Sequence, residues 1–300
     1  MAKEKKVSIG ALNITMHPHS PQHYVQLFKD AKIMKCFARL SKDKAGLIAT
    51  ANYLDKSKGK TSALTGDLYR FNDIDLQGNW FNTQTGQHAE EEDLERVSIP
   101  EHLKPNSSRF QYLFFPESHV LFYESYYDGH TLGHRNAKKL VEGALNDPRL
   151  VEKYGNIDVT IIPSREELSK AMEIPRMDRL TMLIKRPNPD NHKKAERKVL
   201  ERLNAQNVSE YQSELTSIPG SSIEPDPETK ALSEIAARNG TVQVKGRDSK
   251  GHPVQYNTVD HPWSHSEYYD PEVETAYNTF ENTVIHVRED VEHWINREDE

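Results

Sequence analysis

One segment constrains this chain more than any other. Residues 109–115 (RFQYLFF) and 120–126 (VLFYESY) flank a tight turn, Pro116-Glu117-Ser118-His119. Two aromatic, β-prone runs joined by a short turn read as a hairpin. The aromatic density places that hairpin in a central, buried sheet, so the rest of the chain has to supply its cover.

Cover is scarce. Only 35% of the 300 residues are hydrophobic, against about 45–50% in average globular usage. One large spherical core is therefore disfavoured, and two thinner lobes or an extended oligomer are expected. Length alone sets a soft prior of two domains. Wholesale disorder does not fit, because the net charge is only −7 and the apolar segments are clearly periodic. No run reaches about 18 apolar residues, so no membrane span is expected. The first residues, MAKEKKVSIGALNITM, lack a long apolar stretch and a small-residue cleavage site. A cytoplasmic protein is the expectation. The single cysteine, Cys36, excludes an internal disulfide framework and a Cys-rich zinc site. Its apolar-periodic surroundings read as those of a buried structural thiol.

The remaining segments predict an α+β fold. Residues 7–16, 46–54 and 68–72 read as strands, and a helical pattern opens at Ser20-Pro21. A helix is predicted from about Thr131 to Leu145. Strand 157–162, a helix opened by a Ser164/Glu167 capping box, and strand 179–185 predict one strand-helix-strand layer. Arg186-Pro187-Asn188-Pro189-Asp190 is the strongest punctuation, since two prolines cannot continue a strand. It sets the expected boundary between an α+β domain with a mixed or antiparallel sheet (1–187) and a helix-rich domain (188–300). Within the second domain a helix spans about 191–204, and residues 206–227 read as a linker. Asp226-Pro227 and Asn239-Gly240 bracket another helix with proline at its start and glycine at its stop. Strands 241–245 and 252–258 form a second hairpin. In the final helix, Val273, Tyr277, Phe280, Val284, Val287, Val291 and Trp294 alternate at spacings of four and three, a heptad seam. At about 26 residues this helix would be about 39 Å long. Two readings remain open for the seam: packing on its own domain, or a subunit interface. The narrow stripe makes an isologous homodimer the working expectation.

Charge is polarised along the chain. Residues 1–60 hold 12 Lys/Arg and 4 Asp/Glu, a net +8, and residues 256–300 hold 2 and 12, a net −10. Such asymmetry points to different partners for the two ends. Lys56, Lys58 and Lys60 project from a loop, and Lys193, Lys194, Arg197 and Lys198 share a helix face. Cations at two separated sites can track a duplex DNA backbone without reading bases. Two solvated patches are the alternative. No helix-turn-helix, zinc-finger or RNA-recognition signature accompanies them, which disfavours sequence-specific readout.

The motifs for chemistry are weak. Gly59-Lys60-Thr61 ends like a phosphate-binding loop, but Leu54 stands where the first glycine is required. His17-Pro18-His19 and His23 offer imidazoles with no carboxylate placed beside them, and His261 and His265 flank a Pro262-Trp263 turn. Pro189-Asp190 with Glu196-Arg197-Lys198 spells a nuclease-like signature at too short a spacing, half of it on a predicted helix. Asp248-Ser249-Lys250 is a similar match in a turn. No catalytic residue, metal ligand or cofactor is assigned. A metal-dependent nuclease or toxin using His17, His19 and His23 is the runner-up, and a protein-only adaptor the third reading.

The segments IDVTII–helix–LTMLIKRPNPD and TVQVKGRDSKGHPVQYNTVD, followed by the long final helix, carry a resemblance. In their order they resemble the RexA-like phage-exclusion proteins and related bacterial families found near antiphage genes. The likeness is one of pattern and is closest in the second half. It implies a homodimeric, DNA-binding sensor or effector of phage defence, often coupled to a separate membrane protein, and it brings no catalytic motif.

Overall fold

The computed structural model describes residues 4–188 and 194–296. The chain opens with β1 (Lys5–Met16), α1 (Pro21–Ile33), β2 (Phe37–Arg39), β3 (Lys44–Ile48), β4 (Asn52–Tyr53) and β5 (Leu64–Asn72). An excursion follows, with β6 (Phe81–Asn82), β7 (Gln87–His88) and α2 (Glu91–Leu94). The aromatic hairpin is β8 (Ser108–Phe115) and β9 (Val120–Tyr127), with β10 (His130–Thr131) after it. Then come α3 (His134–Leu145), α4 (Pro148–Tyr154), β11 (Ile157–Ile161), α5 (Arg165–Met172) and β12 (Arg176–Lys185). The remaining elements are α6 (Lys194–Ala205), β13 (Glu210–Thr216), α7 (Pro227–Asn239), β14 (Gly240–Arg247), β15 (Pro253–Asn257), β16 (Ser264–Tyr269) and α8 (Ala276–Asn296).

The fold is α+β, built on a curled antiparallel sheet in the order β11-β1-β9-β8-β5-β3-β2. The hairpin lies at its centre. Successive side chains of a strand point to opposite faces, and here both faces are buried. Phe110, Tyr112, Phe114, Leu121 and Tyr123 join the core under α1, α3 and α4. Leu113, Phe115, Val120 and Phe122 join the core under α8. The Phe28 ring of α1 stacks on Phe114, with centroids 4.6 Å apart.

Strand β1 has partners on both edges. Residues Val7–Asn13 pair with β9. On the other edge, Lys5–Gly10 pair with β16 and Leu12–Met16 with β11. The last strand of the chain therefore lies beside the first.

A second antiparallel sheet runs β13-β12-β14-β15. Leu180, Met182, Ile184, Val242 and Val244 pack there with Ile235, Ala236 and Ala237 of α7. Helix α7 has the expected bounds, with Asp226 accepting the Thr229 amide at 2.7 Å.

Several expectations need correction. Strands β11 and β12 do not share a layer, because β11 joins the first sheet and β12 the second. The boundary at 187/188 separates β12 from β13, which pair from Arg179↔Thr216 to Lys185↔Glu210. Residues 206–227 are not all linker, since they contain β13, and the expected helix-rich half also carries four strands, β13 to β16, beside the longer helices α6, α7 and α8. The Ser164 hydroxyl accepts the Glu167 amide at 3.3 Å, but the Glu167 carboxylate turns to Lys170 instead of closing the capping box.

The heptad seam is internal. Phe280, Val284 and Val291 are buried against Val7, Ile9, Phe115 and Phe122 of the chain's own sheet, and Val287 is buried as well. Trp294 packs against the cores of both sheets. Val273 precedes the helix and is 84% exposed, and Tyr277 is 41% exposed. A homodimer built on this stripe loses its basis, because the buried residues already have an intramolecular partner.

Candidate functional site

The basic N-terminal segment is distributed around α1. The Ser20 hydroxyl caps this helix by accepting the His23 amide at 3.1 Å. Tyr24, Val25, Leu27, Phe28 and Ala31 face the core. Lys29 is half-buried and Lys32 exposed, and Lys35 follows in the left-handed backbone region. The Lys29 ammonium lies 3.6 Å from the centroid of the Tyr53 ring, a cation–π contact. Tyr53 precedes the 3₁₀ turn Lys56–Thr61, which packs against α1. Lys56 therefore opens a turn that packs against the helix carrying Lys29 and Lys32. The side chains of Lys58 and Lys60 lie outside the described residues. Lys42 and Lys44 are exposed at the β2–β3 turn.

The carboxylate within α1 is already engaged. Asp30 accepts hydrogen bonds from Lys153, Tyr154 and Gln26, each at 2.7 Å. Burial pushes its pKa up, but these donors outweigh burial and hold the carboxyl below its usual range. Among the described residues, Lys32, Lys35 and Lys56 form no ion pair, whereas Lys44 acts on the neighbouring Asp43 carboxylate and Lys42 shares a cleft with Asp43 and Asp73. The ammonium groups of Lys32, Lys35 and Lys56 are left facing water.

The second expected group belongs to the other layer. Arg197 and Lys198 are exposed on α6. Lys193 lies outside the described residues, as does the side chain of Lys194. Glu196, on the same helix, turns inward and is buried. Its carboxylate accepts from Arg238 at 3.1 Å and from Asn239 at 3.3 Å.

That pairing removes Glu196 from the nuclease-like signature, and Asp190 lies outside the described residues. Asp248 instead holds its own turn, accepting the Lys250 and His252 amides. The histidines of the runner-up reading diverge. His23 is exposed, His17 faces the Arg186 carbonyl at 3.5 Å, and His19 lies 3.2 Å from the Tyr24 hydroxyl. His119 packs edge-on against His19, and burial pushes its pKa down to about 3. No group of three His, Cys, Asp or Glu able to hold a metal occurs among the described residues. Cys36 is buried, and burial pushes its thiol up to about 11, which suppresses the nucleophilic thiolate. No helix of the described residues is long and apolar enough to cross a membrane.

Together these features define an α+β protein of two large antiparallel sheets and a two-stranded β6–β7 pair, with exposed lysines on and beside α1. The chain belongs to the family described as a domain of unknown function (DUF4747), whose model matches residues 5–285. The match includes both sheets and the first half of α8. No curated protein matches the sequence.

Proposed function

We propose that the chain binds duplex nucleic acid through its phosphate backbone, with little dependence on sequence. One observation carries this reading: Lys32, Lys35 and Lys56, on and beside α1, are exposed and form no ion pair among the described residues. Phosphates supply the missing charge, and release of their counterions drives such binding. Arg197 and Lys198 on α6 add a second contact to the same backbone. This is the DNA-binding role that the resemblance to RexA-like proteins implies, and phage defence is the setting it would serve.

The test is fluorescence anisotropy with labelled duplexes of unrelated sequence across a salt series. Five phosphates engaged by Lys32, Lys35, Lys56, Arg197 and Lys198 give a log–log salt slope of about −4.5. A Lys32→Glu/Lys35→Glu/Lys56→Glu variant should weaken all duplexes alike and flatten the slope. Unchanged binding removes this face from the interface.

Ile33 and Phe37, 69% and 52% exposed, flank Lys35 in sequence and favour a second reading. In it the face docks an acidic protein and the chain is an adaptor. A duplex that fails to bind at low salt would decide for that reading.

A further inference from the structure

Where β9, β1 and β16 run side by side, the strand register lines up two cross-strand rows. Tyr126, Ser8 and Ser266 form one row, and Tyr123, Gly10 and Ser264 the other. Directly paired residues share a face, so a floor of Ser8 and Gly10 lies between tyrosines on one side and serines on the other. Small residues in the middle strand make this a trench of about 490 Å³. That size is within the usual range of small-molecule sites.

Gly10 is required here. A Cβ at that position would lie 2.5 Å from the Tyr123 hydroxyl oxygen. The Tyr123 side chain is itself 1% exposed, and its hydroxyl reaches over Gly10 into the trench with no hydrogen-bond partner among the described residues. A hydroxyl that opens onto the trench without a protein partner is free to donate to or accept from a ligand.

The N-terminus of α3 opens onto the same trench through Gly133 and His134. Gly133 has no side chain with which to cap the helix. The amides of Asn136 and Ala137 return to its carbonyl, whereas those of His134 and Arg135 have no acceptor among the described residues. Such an end attracts anions. Lys6 adds an ammonium group, and no carboxylate lines the trench, although the chain carries a net −7. Asp260, the carboxylate that acts on His134 at this end of α3, is paired with Arg135.

We propose that this trench binds a nucleoside monophosphate. Its phosphate lies between the α3 amides and Lys6, its ring lies on Tyr126, and its ribose hydroxyls meet the Tyr123 hydroxyl and the serine row. A phosphate answers the orphan amides and the ammonium group, and a planar base matches the half-buried tyrosine face. The site is separate from the lysines around α1, so it stands or falls independently of nucleic-acid binding.

Isothermal titration of the full chain tests the assignment. The probes are adenosine and guanosine monophosphates, inorganic phosphate, the free nucleosides and ribose 5-phosphate. At least one monophosphate should bind more tightly than every unphosphorylated or base-free probe. Lys6→Gln should weaken it about tenfold, through loss of a charged hydrogen bond to phosphate. Tyr123→Phe, which keeps the ring over Gly10, should weaken it about threefold to tenfold. Circular dichroism confirms that both variants are folded. Ribose 5-phosphate or phosphate binding as tightly as the nucleotides overturns the nucleoside assignment. Absence of binding by any probe, or affinity indifferent to both Lys6 and Tyr123, overturns the site.

Discussion

Replacing Phe280 with alanine tests whether the periodic stripe of α8 is the cover of the sheet or a surface for another subunit. Phe280 is 2% exposed and shares a core with Val7, Ile9, Phe115 and Phe122. Truncating a buried phenylalanine costs about 3–5 kcal/mol, combining lost transfer free energy with the cavity left behind. Val273 lies on the same sequence stripe but is 84% exposed. Val273→Ala should therefore stay within about 0.5 kcal/mol of the parent. Urea unfolding followed by circular dichroism measures both. With a slope of about 3 kcal/mol per molar, the Phe280 variant should lose about 1–1.7 M in midpoint. The loss should be the same at protein concentrations differing tenfold, because an intramolecular core has no mass-action term. Equal costs at Phe280 and Val273, or a Phe280 cost that shrinks as the protein is diluted, would refute the assignment of this stripe to the internal core.

Glu124 is buried, and burial raises its pKa from 4.5 to about 7 although it accepts the Gln111 amide at 2.7 Å. The folded state holds this proton more tightly, so Glu124's contribution is fully present below pH 4.5 and lost as pH rises through 7. Glu124→Gln should flatten that decline and gain about 3 kcal/mol above pH 8 in urea titrations at several pH values; a parallel pH profile argues against it. Arg238→Met strands the Glu196 carboxylate in the core and should cost about 3–5 kcal/mol, whereas Glu196→Leu/Arg238→Met should cost much less than the two single changes added together. Additive costs in that double-mutant cycle would mean the pair is not coupled. Cys36 should resist iodoacetamide at pH 8 in the native protein and react fully in urea, read by mass spectrometry; rapid native labelling would contradict its burial and raised pKa.

Local pattern was enough for the elements whose causes are local. The β8–β9 hairpin is legible because apolar residues fill consecutive positions around a tight turn, a pattern that demands burial on both faces. Helix α7 is legible because Asp226 and Pro227 satisfy its first turn and Gly240 follows its last residue. Strand β13 was missed because it has little to bury: EYQSELT alternates half-buried and exposed residues, and the strand takes its place through pairing with β12. Lys29 and Lys32 were countable in the charge of residues 1–60, and their spacing of three puts them on neighbouring positions of a helix surface. Only the packing of α1 against Lys56–Thr61 showed that they join the loop lysines.

The sequence by itself determined that the α8 stripe would be buried, since 3–4 periodicity reports an apolar face whatever covers it. It could not say by what. Tertiary structure decided that the cover is the chain's own sheet, that β11 and β12 part to different sheets, and that β16 returns beside β1. The trench over Ser8 and Gly10 exists only through that return, because its two walls come from residues more than a hundred positions apart in the chain. Pairings of that range depend on which edge amides and apolar faces remain unsatisfied once the chain has collapsed. That is a property of the whole fold, and no window of neighbouring residues contains it.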